Sequence, residues 1–115
     1  MNHNMSLYER PFELIKAGSK SIEIRCNDEK RQRVKTGDTI TFGKLPDLTE
    51  HIVVEVLDLY PFSTFEALYR SFDFAEFGCE GRTMEEMLSA TRCTYSAEKE
   101  EKYGALGIRV RLAGV

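Results

Sequence analysis

Strand-like segments are scattered along this chain and often joined by loops too short for a right-handed parallel crossover, which restricts the folds open to it. Residues 20–27 alternate apolar and polar side chains, with Ile22, Ile24 and Cys26 on one side. After the turn at Thr36-Gly37-Asp38, Thr39 to Phe42 alternates again, and Gly43 to Glu50 reads as a loop containing Pro46. His51 to Leu59 is long and rich in Val and Ile, with Tyr60-Pro61-Phe62 expected to break it. Ala105 to Leu112 sets Leu106, Ile108, Val110 and Leu112 against Arg109 and Arg111, and residues 5–8 are expected to add a short strand.

Helices fall between these strands. Glu9 to Ala17 carries Pro11 in its first turn, Phe12 and Ile15 at helical spacing, and Gly18 as its stop. Ser63 with Glu66 reads as a capping box ahead of a buried stripe of Phe65, Leu68, Tyr69 and Phe72. Residues 74–82 look irregular. Thr83 with Glu86 opens a helix through Arg92, and Ser96 caps a short one that Gly104 ends. This order predicts an α+β class, a small, mixed, mostly antiparallel β-barrel with flanking helices, over a single domain 1–115. The first and last strands are expected to pair and close the barrel.

The polar face of residues 20–27 carries Ser21, Glu23, Arg25 and Asn27, an acid, a fixed cation and an amide in one row. Residues 20–35 hold six Lys or Arg against three acids, a local +3 in a chain whose formal charge is −3. A basic patch on an acidic body suits a compact anionic ligand better than tracking along duplex DNA. The competing reading is a solvated surface row whose pairs contribute only ~0–1 kcal/mol.

Cys26, Cys79 and Cys93 are an odd set without CxxC spacing, so neither a disulfide scaffold nor a cysteine-rich zinc site is expected, and Cys26 is assigned to the core. His3 and His51 lack ligand spacing, so no metal and no cofactor are expected. The chain shows neither a signal-peptide pattern nor an apolar run long enough to span a bilayer, which predicts a cytoplasmic protein without a membrane partner. The oligomeric state stays open.

Two elements, in order, carry a family resemblance. Gly18-Ser19-Lys20-Ser21-Ile22-Glu23-Ile24-Arg25 matches a GxKxxExR pattern, and Gly37-Asp38-Thr39-Ile40-Thr41-Phe42 matches GDxIxF. With the Tyr60–Phe65 stretch, the Tyr95–Tyr103 helix and the closing Gly104–Val110 strand, the chain resembles the small, stand-alone bacterial members of the ASCH domain family. The resemblance implies a PUA-like barrel with a cleft beside it that binds RNA, a nucleotide or a modified nucleoside. Lys20, Glu23 and Arg25 would line that cleft, with Asn27, Lys30 and Arg31 at its rim. Gly37 and Asp38 would form a structural turn and Phe42 would be core.

One branch of the family hydrolyses N4-acetylcytidine with a Lys, a Thr and a Glu. Lys20 stands where the family's Lys stands, but Glu23 occupies the position of the Thr. The resemblance therefore also implies an enzymatic alternative, an amidohydrolase or an RNA-cleaving enzyme. In it Lys20 and Glu23 would do the proton work, with burial tuning their pKa values toward neutrality and Arg25 stabilising an oxyanion. Glu76 or Glu80 would be the further acid.

Overall fold

The computed structural model describes residues 1–114; Val115, the last residue of the expected domain, lies outside them. Strand β1 (Asn2–Leu7) leads into helix α1 (Glu9–Lys16), and β2 (Ile22–Cys26) and β3 (Thr39–Lys44) follow. After β4 (His51–Phe62) come α2 (Phe65–Arg70), α3 (Met84–Thr94) and α4 (Ala97–Tyr103), and β5 (Ala105–Leu112) ends the set. The strands form one curled sheet in the order β1-β3-β4-β5-β2. Among the described residues only β1 with β3 is parallel, and the crossover between them contains α1 and β2. The other three pairings are antiparallel. Of these, β3 with β4 is the pair whose connection, residues 45–50, is too short for a parallel crossover. The α+β, mostly antiparallel expectation holds.

The expected closure does not occur in the form anticipated. Strand β5 has β4 on one edge and β2 on the other, so it has no edge left for β1. The open edges are β1 and β2, and side chains bridge them. The carbonyls of Met1 and Leu7 accept from Thr39 and Leu45 on the β3 side. Those of Asn4 and Ser6 instead accept from Lys30 Nζ and Arg25 Nη2, each at 2.8 Å. Two of the cations assigned to a ligand thus cover a strand edge that would otherwise be free to pair.

A second difference is the length of β4. Pro61 does not break it, because β3 pairs only as far as Glu55 and the rest of β4 has β5 alone beside it. A proline on such an edge segment forfeits no ladder bond. The register slips between Val56 and Asp58, where the strand leaves β3. Nor is Ser63 the cap of α2: Thr64 is, its Oγ1 accepting from Ala67 N, while Glu66 pairs with Arg70. The expected Thr83–Glu86 capping box is present in both directions. Thr83→Ala should therefore lower stability by about 1 kcal/mol in urea unfolding, and no change would mean that the box contributes nothing.

Two apolar clusters fill the fold. One lies inside the curl of the sheet, with Phe12 and Ile15 of α1 packed on Ile40, Phe42, Val54 and Ile108. The other joins Ile22 and Cys26 of β2 to Phe65, Leu68, Tyr69, Phe77 and Met87. The Gly37-Asp38 turn is structural as expected. Gly37 has φ of 93°, and the Asp38 carboxylate accepts from Lys35 N and bonds His3 Nε2 and the amino terminus. Those bonds, the His3 bond foremost, hold the Asp38 pKa at about 2.

Candidate functional site

A cleft of about 430 Å³ opens where the two clusters meet, a volume in the range of small-molecule sites. Leu7 comes to it from the first cluster, Tyr69 and Met87 from the second. Its floor is Lys20, Glu23 and Arg25, and α3 supplies Ala90, Thr91 and Thr94, with Tyr95 just after it, as a wall. Tyr8, Pro11 and Leu45 line the opposite side.

Local sequence places the floor. Glu23 and Arg25 are two apart on β2 and so share a face. Lys20 is delivered by the end of α1, where Gly18 turns the chain at φ of 82° and the amides of Ser19 and Lys20 both donate to the Leu14 carbonyl. Gly78 leaves room for it, since a Cβ there would come within 3.2 Å of the Lys20 Cβ.

These three side chains form a compact triad, with Lys20 and Glu23 buried and Arg25 partly so. Lys20 Nζ lies 2.9 Å from Glu23 Oε1, and Arg25 Nε and Nη2 each lie 2.8 Å from Glu23 Oε2. Glu23 is only 4% exposed and Lys20 8%. Burial by itself would raise the Glu23 carboxyl, but the charges of Lys20 and Arg25 and their hydrogen bonds outweigh it and hold the pKa at about 2. The expected tuning toward neutrality is thus reversed for Glu23. A carboxylate of that strength is a poor general base near neutral pH and a persistent hydrogen-bond acceptor.

The triad has capacity left for a ligand. An ammonium carries three donors, and Glu23 occupies one of those of Lys20. Each carboxylate oxygen of Glu23 has two lone-pair sites. Arg25 is more fully spent, since Nη2 also donates to Ser6 O and the guanidinium lies 5.9 Å from the centroid of the Phe42 ring. In the same cleft, burial pushes the Tyr69 hydroxyl up to about 12 and also raises Tyr95, so both phenols are neutral at physiological pH.

The three residues expected at the rim lie elsewhere. Lys30 Nζ binds Asn4 O and Arg31 pairs with Asp28 at 3.2 Å, while the backbone N–H of Asn27 donates to Gly104 O; none of the three residues lines the cleft. The acids considered for catalysis are also outside it. Glu76 pairs with Arg109 at 2.9 Å, and Glu80 is exposed. Conversely, Tyr8, Arg82, Thr94 and Tyr95 line the cleft without having been singled out from sequence. They sit on loops and on the exposed side of α3, where no apolar periodicity marks them. Among the described residues no cluster of three His, Cys, Asp or Glu could hold a metal ion, and no helix is long and apolar enough to cross a membrane.

Comparison with known proteins places these features in context. The ASCH domain family model matches residues 5–113. The crystal structure of the hypothetical protein PH0355 superposes with a TM-score of 0.87 at 33% identity, covering 97% of this chain and 99% of that one. The solution structure of PF0455 from Pyrococcus furiosus gives 0.80 at 30% identity, with both chains covered completely. A serine-to-alanine mutant of ZmASCH from Zymomonas mobilis gives 0.58 at 14% identity over 96% of this chain and 67% of that one, a likeness of fold alone. No curated protein matches the chain significantly.

Proposed function

This chain belongs to the ASCH domain family, and from that premise we propose that its cleft binds a nucleobase, presented by RNA or by a nucleotide or nucleoside, with Lys20 and Glu23 reading the base edge. The observation that carries this reading is the Lys20–Glu23 pair, buried yet unsaturated, on the floor of an otherwise largely apolar cleft. A carboxylate beside an ammonium offers an acceptor next to a donor. That matches a base edge with an amino group beside a carbonyl or ring nitrogen. The apolar walls suit the faces of the ring. Arg25 has a different part: it holds Glu23 in place and ties β2 to β1. The low pKa of Glu23 favours binding over proton transfer.

The experiment is a thermal-shift and calorimetric screen against nucleosides, nucleotides, N4-acetylcytidine and short single-stranded RNAs, with chromatography for cytidine release. A ligand at about 100 times its Kd should stabilise the fold by roughly 2.7 kcal/mol, a rise of several degrees in Tm. Release of cytidine would instead establish the hydrolytic alternative. Ala90→Trp is the matching variant, because Ala90 is exposed on the wall formed by α3. It should fill the cleft and weaken binding at least ~10-fold, with Tm within a few degrees of wild type. Undiminished binding in this variant would move the ligand out of the cleft.

A further inference from the structure

We propose that Arg82 reads a phosphate group at the mouth of the cleft, so that the ligand is a nucleotide unit rather than a free nucleoside. This rests on the reading of the cleft as a base site and adds the charge of what enters it. The residues lining the cleft include three cations, Lys20, Arg25 and Arg82, against one acid, Glu23. The lining is therefore positive by two in a chain whose formal charge is −3. Such an excess attracts an anion.

Lys20 and Arg25 cannot hold a phosphate fully, because Glu23 already takes a bond from each and repels a second anion at the floor. Arg82 is the one cation of the cleft whose side chain makes no hydrogen bond or ion pair among the described residues; only its backbone amide is engaged, with Cys79 O at 3.2 Å. Glu86 feels its charge, but that carboxylate accepts from Thr83 N in the capping box. Arg82 is exposed, between Gly81 and the cap of α3, on the same cleft as the buried pair. A guanidinium in that place presents a planar donor fork, the geometry that grips phosphate oxygens two at a time. The cleft thus combines two chemically distinct groups: the mutually neutralised, buried Lys20–Glu23 pair and the exposed, positive Arg82.

The test is calorimetry on the full chain with the four common nucleosides, their 5′- and 3′-monophosphates, 3′,5′-linked dinucleotides and inorganic phosphate, in wild type, Arg82→Gln and Arg82→Lys. In wild type a monophosphate should bind about tenfold or more tightly than its nucleoside, in line with a charge-assisted contact. In Arg82→Gln that ratio should fall to near one, and Arg82→Lys should restore part of it. A dinucleotide that matches the monophosphate points to the interior of a strand, and a weaker one to a free nucleotide or a strand end. A phosphate that adds nothing in wild type, or whose advantage survives in Arg82→Gln, overturns the assignment while leaving the base site standing. Failure of every nucleoside and nucleotide to bind wild type overturns both.

Discussion

Replacing Glu23 with alanine should cost about 3–5 kcal/mol of stability, the loss expected when one partner of a buried ionic group is removed. Glu23 is the centre of the triad and receives three contacts of 2.8–2.9 Å from two cations. Its removal strands Lys20, which is only 8% exposed, and Arg25 without a counter-charge. The cost comes chiefly from those stranded cations. Lys20→Met added to Glu23→Ala should therefore return part of the loss, a non-additivity that a double-mutant cycle reads directly. A single-variant loss below ~1 kcal/mol would show that the triad behaves as an exposed surface pair.

The same group sets a pH dependence. Glu23 titrates near 4.5 when unperturbed and at about 2 in the fold. Above pH 4.5 its ionised form contributes fully to stability. As pH falls the unfolded chain takes up the proton first, and the contribution, about 3 kcal/mol in all, drains away by the time pH reaches 2. Roughly 2 kcal/mol of it should be gone at pH 3. Urea unfolding of wild type and Glu23→Gln at pH 7 and pH 3 isolates this effect from other acids such as Asp38, because the difference between the two proteins should shrink on acidification. A difference that stays constant with pH would mean that the native carboxylate is not preferentially ionised.

Gly104→Ala should be the other severe substitution, at about 3 kcal/mol or more and a Tm lower by ~10 °C. Gly104 ends α4 at φ 74° and ψ −165°, a conformation essentially restricted to glycine. An added Cβ would also stand 2.5 Å from the Phe62 carbonyl oxygen, a backbone atom at the paired end of β4 and β5 that cannot step aside. Gly81→Ala is the control: its φ of 86° is also left-handed, but nothing lies within 4 Å of the added carbon. It should cost only ~1 kcal/mol. Equal effects at the two sites would show that the contact with Phe62 is unimportant.

Much of the fold is readable along the chain because its signals are local. The alternation of β2, β3 and β5, the Thr83–Glu86 box and the stop at Gly18 each depend on residues within a few positions. The errors are of another kind. Pro61 was expected to end β4, and whether a proline is tolerated depends on which strand lies beside it. The cap of α2 shifted from Ser63 to Thr64 because either hydroxyl fits the pattern and only the entry of the chain from β4 decides between them.

The candidate site divides in the same way. Period-2 geometry alone puts Glu23 and Arg25 on one face, and the family resemblance carried by the GxKxxExR element adds Lys20. What the sequence could not decide was how these charges are spent, because burial and edge pairing are properties of distant segments brought together. The open carbonyls of β1 draw Arg25 and Lys30 into closing the curl, and two cations around one buried carboxylate lower its pKa rather than raise it. Tyr8, Arg82, Thr94 and Tyr95 come from three separate parts of the chain. Each is unremarkable in sequence, since a cleft wall is defined by what faces it across empty space and not by its neighbours along the backbone.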